Sequence, residues 1–296
     1  MFERCLICTD LTDGLHRLVE FVPSLAAAGV KHVTFFHSAP WFEDGGVPRV
    51  DEEAVSRARA QLTRAPENAV TADEIKVEVE IASGRPQDTI PRAVRETQAD
   101  AVLIGTPIRS LLEEKMFGST CMSLAKEAIA PLTILRPQLV STYTREELNL
   151  RCRHLWRYLL VPYDGGASSR HLVEQVKYYA RARSDNFFKQ CLLCWVVDDA
   201  GRRDIPLEPQ IEEARATLDG VRQDLEITGM AVTCEVRQGD WLQEILAMAL
   251  IHDITAIAAV EEERNALLSW TAPTAGKALL RSSWHPVIFF PNPKRK

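Results

Sequence analysis

The chain has 296 residues and a mass of 33.2 kDa, a length that suits two domains of ordinary size. Its 46% hydrophobic and 26% charged residues are those of a globular protein with a buried core, and a formal charge of −6 argues against non-specific nucleic-acid binding, which needs clustered cations to neutralise phosphates. No apolar stretch reaches the ~20 residues a bilayer requires, no signal-peptide pattern opens the sequence, and seven cysteines without framework spacing suit a reducing, cytoplasmic setting, so neither nucleic acid nor membrane is an expected partner.

In chain order, a buried strand is predicted over 5–9, ending at Asp10, and then an amphipathic helix over 15–28 that Gly29 closes. A second strand covers 32–37. A polar stretch bearing proline and glycine, 40–50, leads into a helix over 52–64. A strand over 75–82, a helix over 87–97, a strand over 101–104, a helix over 120–130 and a closing strand over 132–135 complete the first half. Strands alternating with helices of ten or so residues imply βαβ crossovers and a parallel sheet. Such sheets bind ligands beyond the carboxyl ends of their strands, where the strand order reverses. Asp10, Gly84 and Gly105 all fall at strand carboxyl ends.

The second half repeats the first. Asp164 follows Tyr158-Leu159-Leu160-Val161-Pro162-Tyr163 as Asp10 follows its strand, an offset of 154 (164 less 10). Gly239 ends an alternating segment as Gly84 does, and Pro286 opens a closing strand as Pro131 does, each at an offset of 155 (239 less 84; 286 less 131). Three landmarks spaced by 154 or 155 residues indicate two homologous domains, expected over 1–140 and 157–296. Between them, Thr144-Arg145-Glu146-Glu147 has the form of a capping box, so the linker over 141–156 is predicted as a short, solvated, charged helix.

The loop from Gly105-Thr106-Pro107-Ile108-Arg109 to Gly118-Ser119-Thr120, directly before a helix, is the most informative segment. Its glycines let backbone approach a ligand, Ser119, Thr120 and the free amides of the helix start suit an anion, and Arg109 adds a cation. The pattern resembles that of the universal stress proteins, whose nucleotide-binding members carry Gly, two residues, Gly, nine residues, then Gly and Ser or Thr. Gly105, Gly118 and Ser119 fill three of those places, and Ile108 stands where the second glycine belongs. Asp10 matches the family acid that lies near the ribose. The resemblance implies two tandem flavodoxin- or Rossmann-like α/β domains, each a five-stranded, mainly parallel sheet with helices on both faces. It implies a binding or signalling module of the stress response that takes ATP, with Mg²⁺, or another adenine nucleotide in the first domain. Asp10 would face the ribose, Gly105 would allow close approach, Gly118, Ser119 and Thr120 would hold phosphate, and Arg109 would balance charge. The family's closing strand pairs domains, so an intramolecular pseudo-dimer or a homodimer is expected. The alternatives are an interaction or scaffold protein without nucleotide, and a weak ATPase.

In the second half, Val260 stands at the first glycine place and Pro273-Thr274 at the Gly-Ser place, with Glu261-Glu262-Glu263 beside them. Proline has no amide to donate and three acids repel an anion, so this copy is expected to lack the nucleotide site. Cys5/Cys8 and Cys191/Cys194 lie within predicted strands, where residues three apart face opposite ways, and are read as core thiols rather than a metal or redox pair. His37 ends the second strand near the expected pocket. No Walker loop or nucleophile elbow occurs, and nothing nominates a catalytic base.

Overall fold

The computed structural model describes residues 2–39, 41–44, 47–63, 75–105, 119–127, 129–136, 140, 143–181, 188–198, 207–261 and 274–292. The chain divides into two units, Phe2–Arg153 and His154–Lys296. The first carries, in chain order, β1 (Arg4–Cys8), a 3-10 turn (Leu15–Phe21), α1 (Val22–Ala27), β2 (His32–Ala39), β3 (Trp41–Asp44), β4 (Val47–Val50), α2 (Glu52–Leu62), β5 (Lys76–Ser83), α3 (Pro86–Thr97), β6 (Ala101–Gly105), α4 (Ser119–Lys126), β7 (Leu132–Leu135) and α5 (Arg145–His154).

β1 is buried from Cys5 to Cys8 and β6 along its whole length, as strands covered on both faces must be. They lie side by side at the middle of a parallel sheet ordered β7-β6-β1-β2-β5. β5 ends one side and wears the polar residues Lys76 and Glu78, joined by an ion pair of 2.6 Å. The crossover helices pack back on the sheet, α2 on β2 and β5, α3 on β1 and β2, α4 on β7.

Two elements differ from the sequence reading. The helix predicted over 15–28 is a 3-10 turn that gives way to α1 at Val22, because Pro23 in the first turn of α1 has no N–H to carry the ladder across the junction. Within the polar stretch before α2, β3 and β4 pair as an antiparallel hairpin. α5 forms with its capping box made: Thr144 N–H donates to Glu147 Oε2 at 2.8 Å and Glu147 N–H to Thr144 Oγ1 at 3.3 Å. It is not merely solvated. Leu148 and Cys152, four apart, put one stripe of α5 into the interior, Ser24 Oγ donates to Asn149 Oδ1 at 2.9 Å, Arg145 pairs with Glu20 at 3.5 Å, and Arg17 donates to the carbonyls of Val140 and Tyr143.

The second unit repeats the plan with β8 (Tyr158–Pro162), α6 (Ala167–Arg181), β9 (Gln190–Val197), α7 (Glu208–Glu226), β10 (Ala231–Gln238), α8 (Trp241–Ile251), β11 (Ala256–Ala259), α9 (Ala275–Ser282) and β12 (Val287–Phe289). Its parallel order, β10-β9-β8-β11-β12, is that of the first unit strand for strand. The last three strands begin 155 residues after their counterparts (231 less 76, 256 less 101, 287 less 132). Gly84 and Gly239, the paired landmarks, both take a positive φ, +139° and +138°, a conformation open to glycine and strained for other residues. Lys177, on α6, is buried and reaches Glu174 at 3.1 Å and Asp224 of α7, tying the two helices. Among the described residues no helix is long and apolar enough to cross a membrane.

Candidate functional site

In each unit the first strand has the second and third on one side and the fourth and fifth on the other. The winding therefore reverses between the first and fourth strands, and their carboxyl ends flank the crevice where such sheets take ligands. In the first unit this is the gap between β1 and β6. Cys8 pairs with Ile104, so Asp10 and Gly105, 95 apart in sequence (105 less 10), emerge at neighbouring strand ends. Ser119 and Thr120 are the first residues of α4. Arg109 and Gly118 lie outside the described residues, as does Ile108.

Asp10 is exposed, and its Oδ1 accepts from Thr12 N (2.8 Å), Thr12 Oγ1 (2.9 Å) and Asp13 N (2.8 Å). It thereby closes the turn that carries the chain off β1. The deep acid is Asp13, which the sequence reading passed over. It is 2% exposed, and its Oδ1 accepts from Thr9 Oγ1 at 2.6 Å and from Leu15 N at 2.9 Å. Burial pushes its carboxyl above the ordinary range, the bond from Thr9 pulls the other way, and the charge of Asp10 raises it further.

Asp13 also explains Gly105. A Cβ added at Gly105 would lie 2.8 Å from Asp13 Oδ2, 2.9 Å from its Cβ and 3.0 Å from its Cγ. The missing side chain makes room for the chain's own carboxylate, where the sequence reading expected a ligand's close approach. Cys121, in the first turn of α4, is pushed up to about 12 by burial with a contribution from Asp13. On the β2 side, Thr9 O lies 2.8 Å from His37 Nδ1, and since a carbonyl only accepts, Nδ1 carries the hydrogen. His37 thus holds the β1 end in place. No sequence signal marked Asp13: it precedes an apolar turn as many solvated acids do.

In the second unit Asp164 stands at the β8 end, exposed, with Oδ1 accepting from Gly166 N at 2.8 Å and Ser169 Oγ at 2.6 Å. A cavity of about 100 Å³ lies at the switch point between Asp164, Val260 and Gly276. A larger one of about 790 Å³ opens on the β9 side, where Tyr163 and Trp195 meet edge to face at 5.8 Å and Arg170, Asp198 and Glu213 supply charge. The larger volume falls within the range of small-molecule sites, about 300–1,000 Å³, and the smaller does not. Glu261, one of three acids read from the sequence as repelling charge, is 3% exposed; Glu262 and Glu263 lie outside the described residues. Its carboxylate accepts from Thr274 Oγ1, at 3.2 Å to Oε1 and 3.3 Å to Oε2.

The cysteine pairs sit in the core. Cys5, Cys8, Cys191 and Cys194 are buried free thiols, and burial raises each of them well above the ordinary thiol value.

Residues 1–136 match the family model described as the universal stress protein family. No curated protein matches the chain in sequence. Among solved structures, a universal stress protein from Archaeoglobus fulgidus DSM 4304 is similar with a TM-score of 0.69 at 16% identity, over 98% of this chain and 99% of that one. A functionally unknown protein from Pseudomonas aeruginosa PAO1 gives 0.55 at 13% identity, over 97% and 92%. At these identities the likeness is one of fold.

Proposed function

We propose that this chain, a member of the universal stress protein family through its residues 1–136, is a binding module whose first unit takes one adenine nucleotide at the crevice between β1 and β6. The observation that carries this reading is the adjacency of Asp10 and Gly105 at neighbouring strand ends, on the chain that next forms α4 from Ser119. That is where doubly wound sheets take ligands and where a helix start favours an anion. Asp10, exposed and anchored through Oδ1, would present its other oxygen to a ribose. Ser119, Thr120 and the amides opening α4 would meet phosphate, with Gly118 and Arg109 contributed by the residues before it in sequence and Mg²⁺ carried in by ATP.

Scanning fluorimetry with MgATP tests it, because a ligand at 100 times its Kd adds roughly 2.7 kcal/mol to stability. The wild type should shift and saturate at one nucleotide per chain, and Ser119→Asp, which puts a negative charge at the start of α4, should abolish the shift. No shift at millimolar ATP in the wild type and in Ile108→Gly would leave the scaffold reading in its place. Phosphate release that survives both Asp10→Ala and Ser119→Ala would exclude this crevice as the source of any ATPase activity. Pairing of closing strands belongs to the same reading, and light scattering distinguishes a chain of 33.2 kDa from a homodimer of twice that mass.

A further inference from the structure

We infer that the second unit fills its own anion seat: the Glu261 carboxylate occupies the start of α9, where a phosphate-bearing ligand would otherwise be held, so this crevice selects ligands with no anionic group there. This concerns the second unit alone and stands whether or not the first binds nucleotide.

A helix start offers unsatisfied amides and a partial positive charge, and in a doubly wound sheet the helix after the fourth strand points that end at the switch point. In the second unit this helix is α9. Thr274 is its N-cap, accepting from Lys277 N at 3.3 Å, and the same hydroxyl donates its hydrogen to the Glu261 carboxylate. Glu261 reaches this place from just beyond β11, and with 3% exposure it is as withdrawn from water as the core around it. A burial of that depth is costly for a carboxylate unless opposite charge and donors receive it.

Gly276, in the first turn of α9, completes the fit: a Cβ there would lie 2.9 Å from Glu261 Oε2 and 2.6 Å from Phe289 Cε1. The backbone of α9 is thus approached by the chain's own carboxylate, as an anionic ligand would approach it. The cavity of about 100 Å³ beside Gly276 and Val260 is also lined by Asp164, a further negative charge. At the residues 155 earlier in the sequence, the first unit has Thr106 for Glu261 and Ser119 for Thr274. The hydroxyl is kept in both copies and the acid is present in one.

The test is anion rescue in the full chain. Glu261→Ala should melt below the wild type, and inorganic phosphate should raise the variant's melting temperature by about 2–4 °C more than it raises the wild type's, against chloride at matched ionic strength. Calorimetry should show one phosphate-binding event per chain gained by the variant. Equal shifts in variant and wild type, or no gained event, would overturn the inference. Should Glu261→Ala not fold, the wild type answers by itself: the backbone amide signal of Gly276 should stay put at tens of millimolar phosphate, and its movement would show an open seat. Phosphate binding by the first unit shifts both proteins alike, so failure of the nucleotide reading leaves this comparison intact.

Discussion

Gly105→Ala is the sharpest probe of the first crevice. The φ of Gly105 lies outside the glycine-only range, so an alanine fits the backbone and the penalty is steric alone. The added methyl would meet three atoms of Asp13 at 2.8–3.0 Å, and that side chain cannot swing aside without giving up its bonds from Thr9 Oγ1 (2.6 Å) and Leu15 N (2.9 Å). Overpacking of this kind costs about 1–3 kcal/mol. In an Asp13→Gly background all three atoms are gone, whereas Asp13→Ala would keep the Cβ at 2.9 Å, and the same substitution should there cost less than about 0.5 kcal/mol, leaving a coupling energy of roughly 1–2 kcal/mol. Urea titrations of the four proteins by far-ultraviolet circular dichroism measure the cycle. A neutral Gly105→Ala, or an equal penalty with and without Asp13, would refute the account of why residue 105 is glycine.

Other outcomes follow from the same geometry. Asp13 is held above its ordinary value of 3.8, chiefly by burial, so the folded chain binds its proton more readily than the unfolded chain and ionisation destabilises. The stability of the wild type relative to Asp13→Asn should therefore fall as pH rises from roughly 4 through the folded pKa, and a flat difference in urea midpoints would contradict this. Gly84→Ala and Gly239→Ala should each cost about 1–3 kcal/mol through their positive φ. Gly220→Ala, inside α7 with open space around it, should instead stabilise by up to about 1 kcal/mol in the same titrations. Brief iodoacetamide treatment of the native protein should label Cys234 first, since it is half-buried and the other six thiols are buried; early labelling of Cys5 or Cys191 in a peptide map would contradict the core placement.

Much of the fold was legible because its signals are local. The apolar runs of β1 and β6, the glycines at 84 and 239 and the Thr144–Glu147 capping box state their structures within a few residues. The repeat spacing needed nothing beyond counting. Where the reading departed from the structure, the cause was a masked local signal or a contact that was not local. The junction at Val22 follows from Pro23, which is visible in sequence, yet an amphipathic pattern on both sides masked it. The seating of α5 depends on partners more than a hundred residues away, Ser24 for Asn149 and Glu20 for Arg145, with Arg17 holding the Val140 carbonyl ahead of the helix.

At the crevice the division is clearest. Asp10 and Gly105 could be picked out as strand-end residues from the βαβ pattern alone, because such sheets put their ligand sites in one topological place. The sequence by itself carried the resemblance to a family, the doubled pattern and the position of that place in each copy. Only the tertiary structure decided what stands there: Asp13, beside Gly105, and Glu261, at the start of α9. Both are acids among the chain's 41 acidic residues, alike in sequence to those on the surface. What separates them is burial beside hydroxyl donors, Thr9 and Thr274, and beside glycines that leave room, and those neighbours meet only when the sheet has closed.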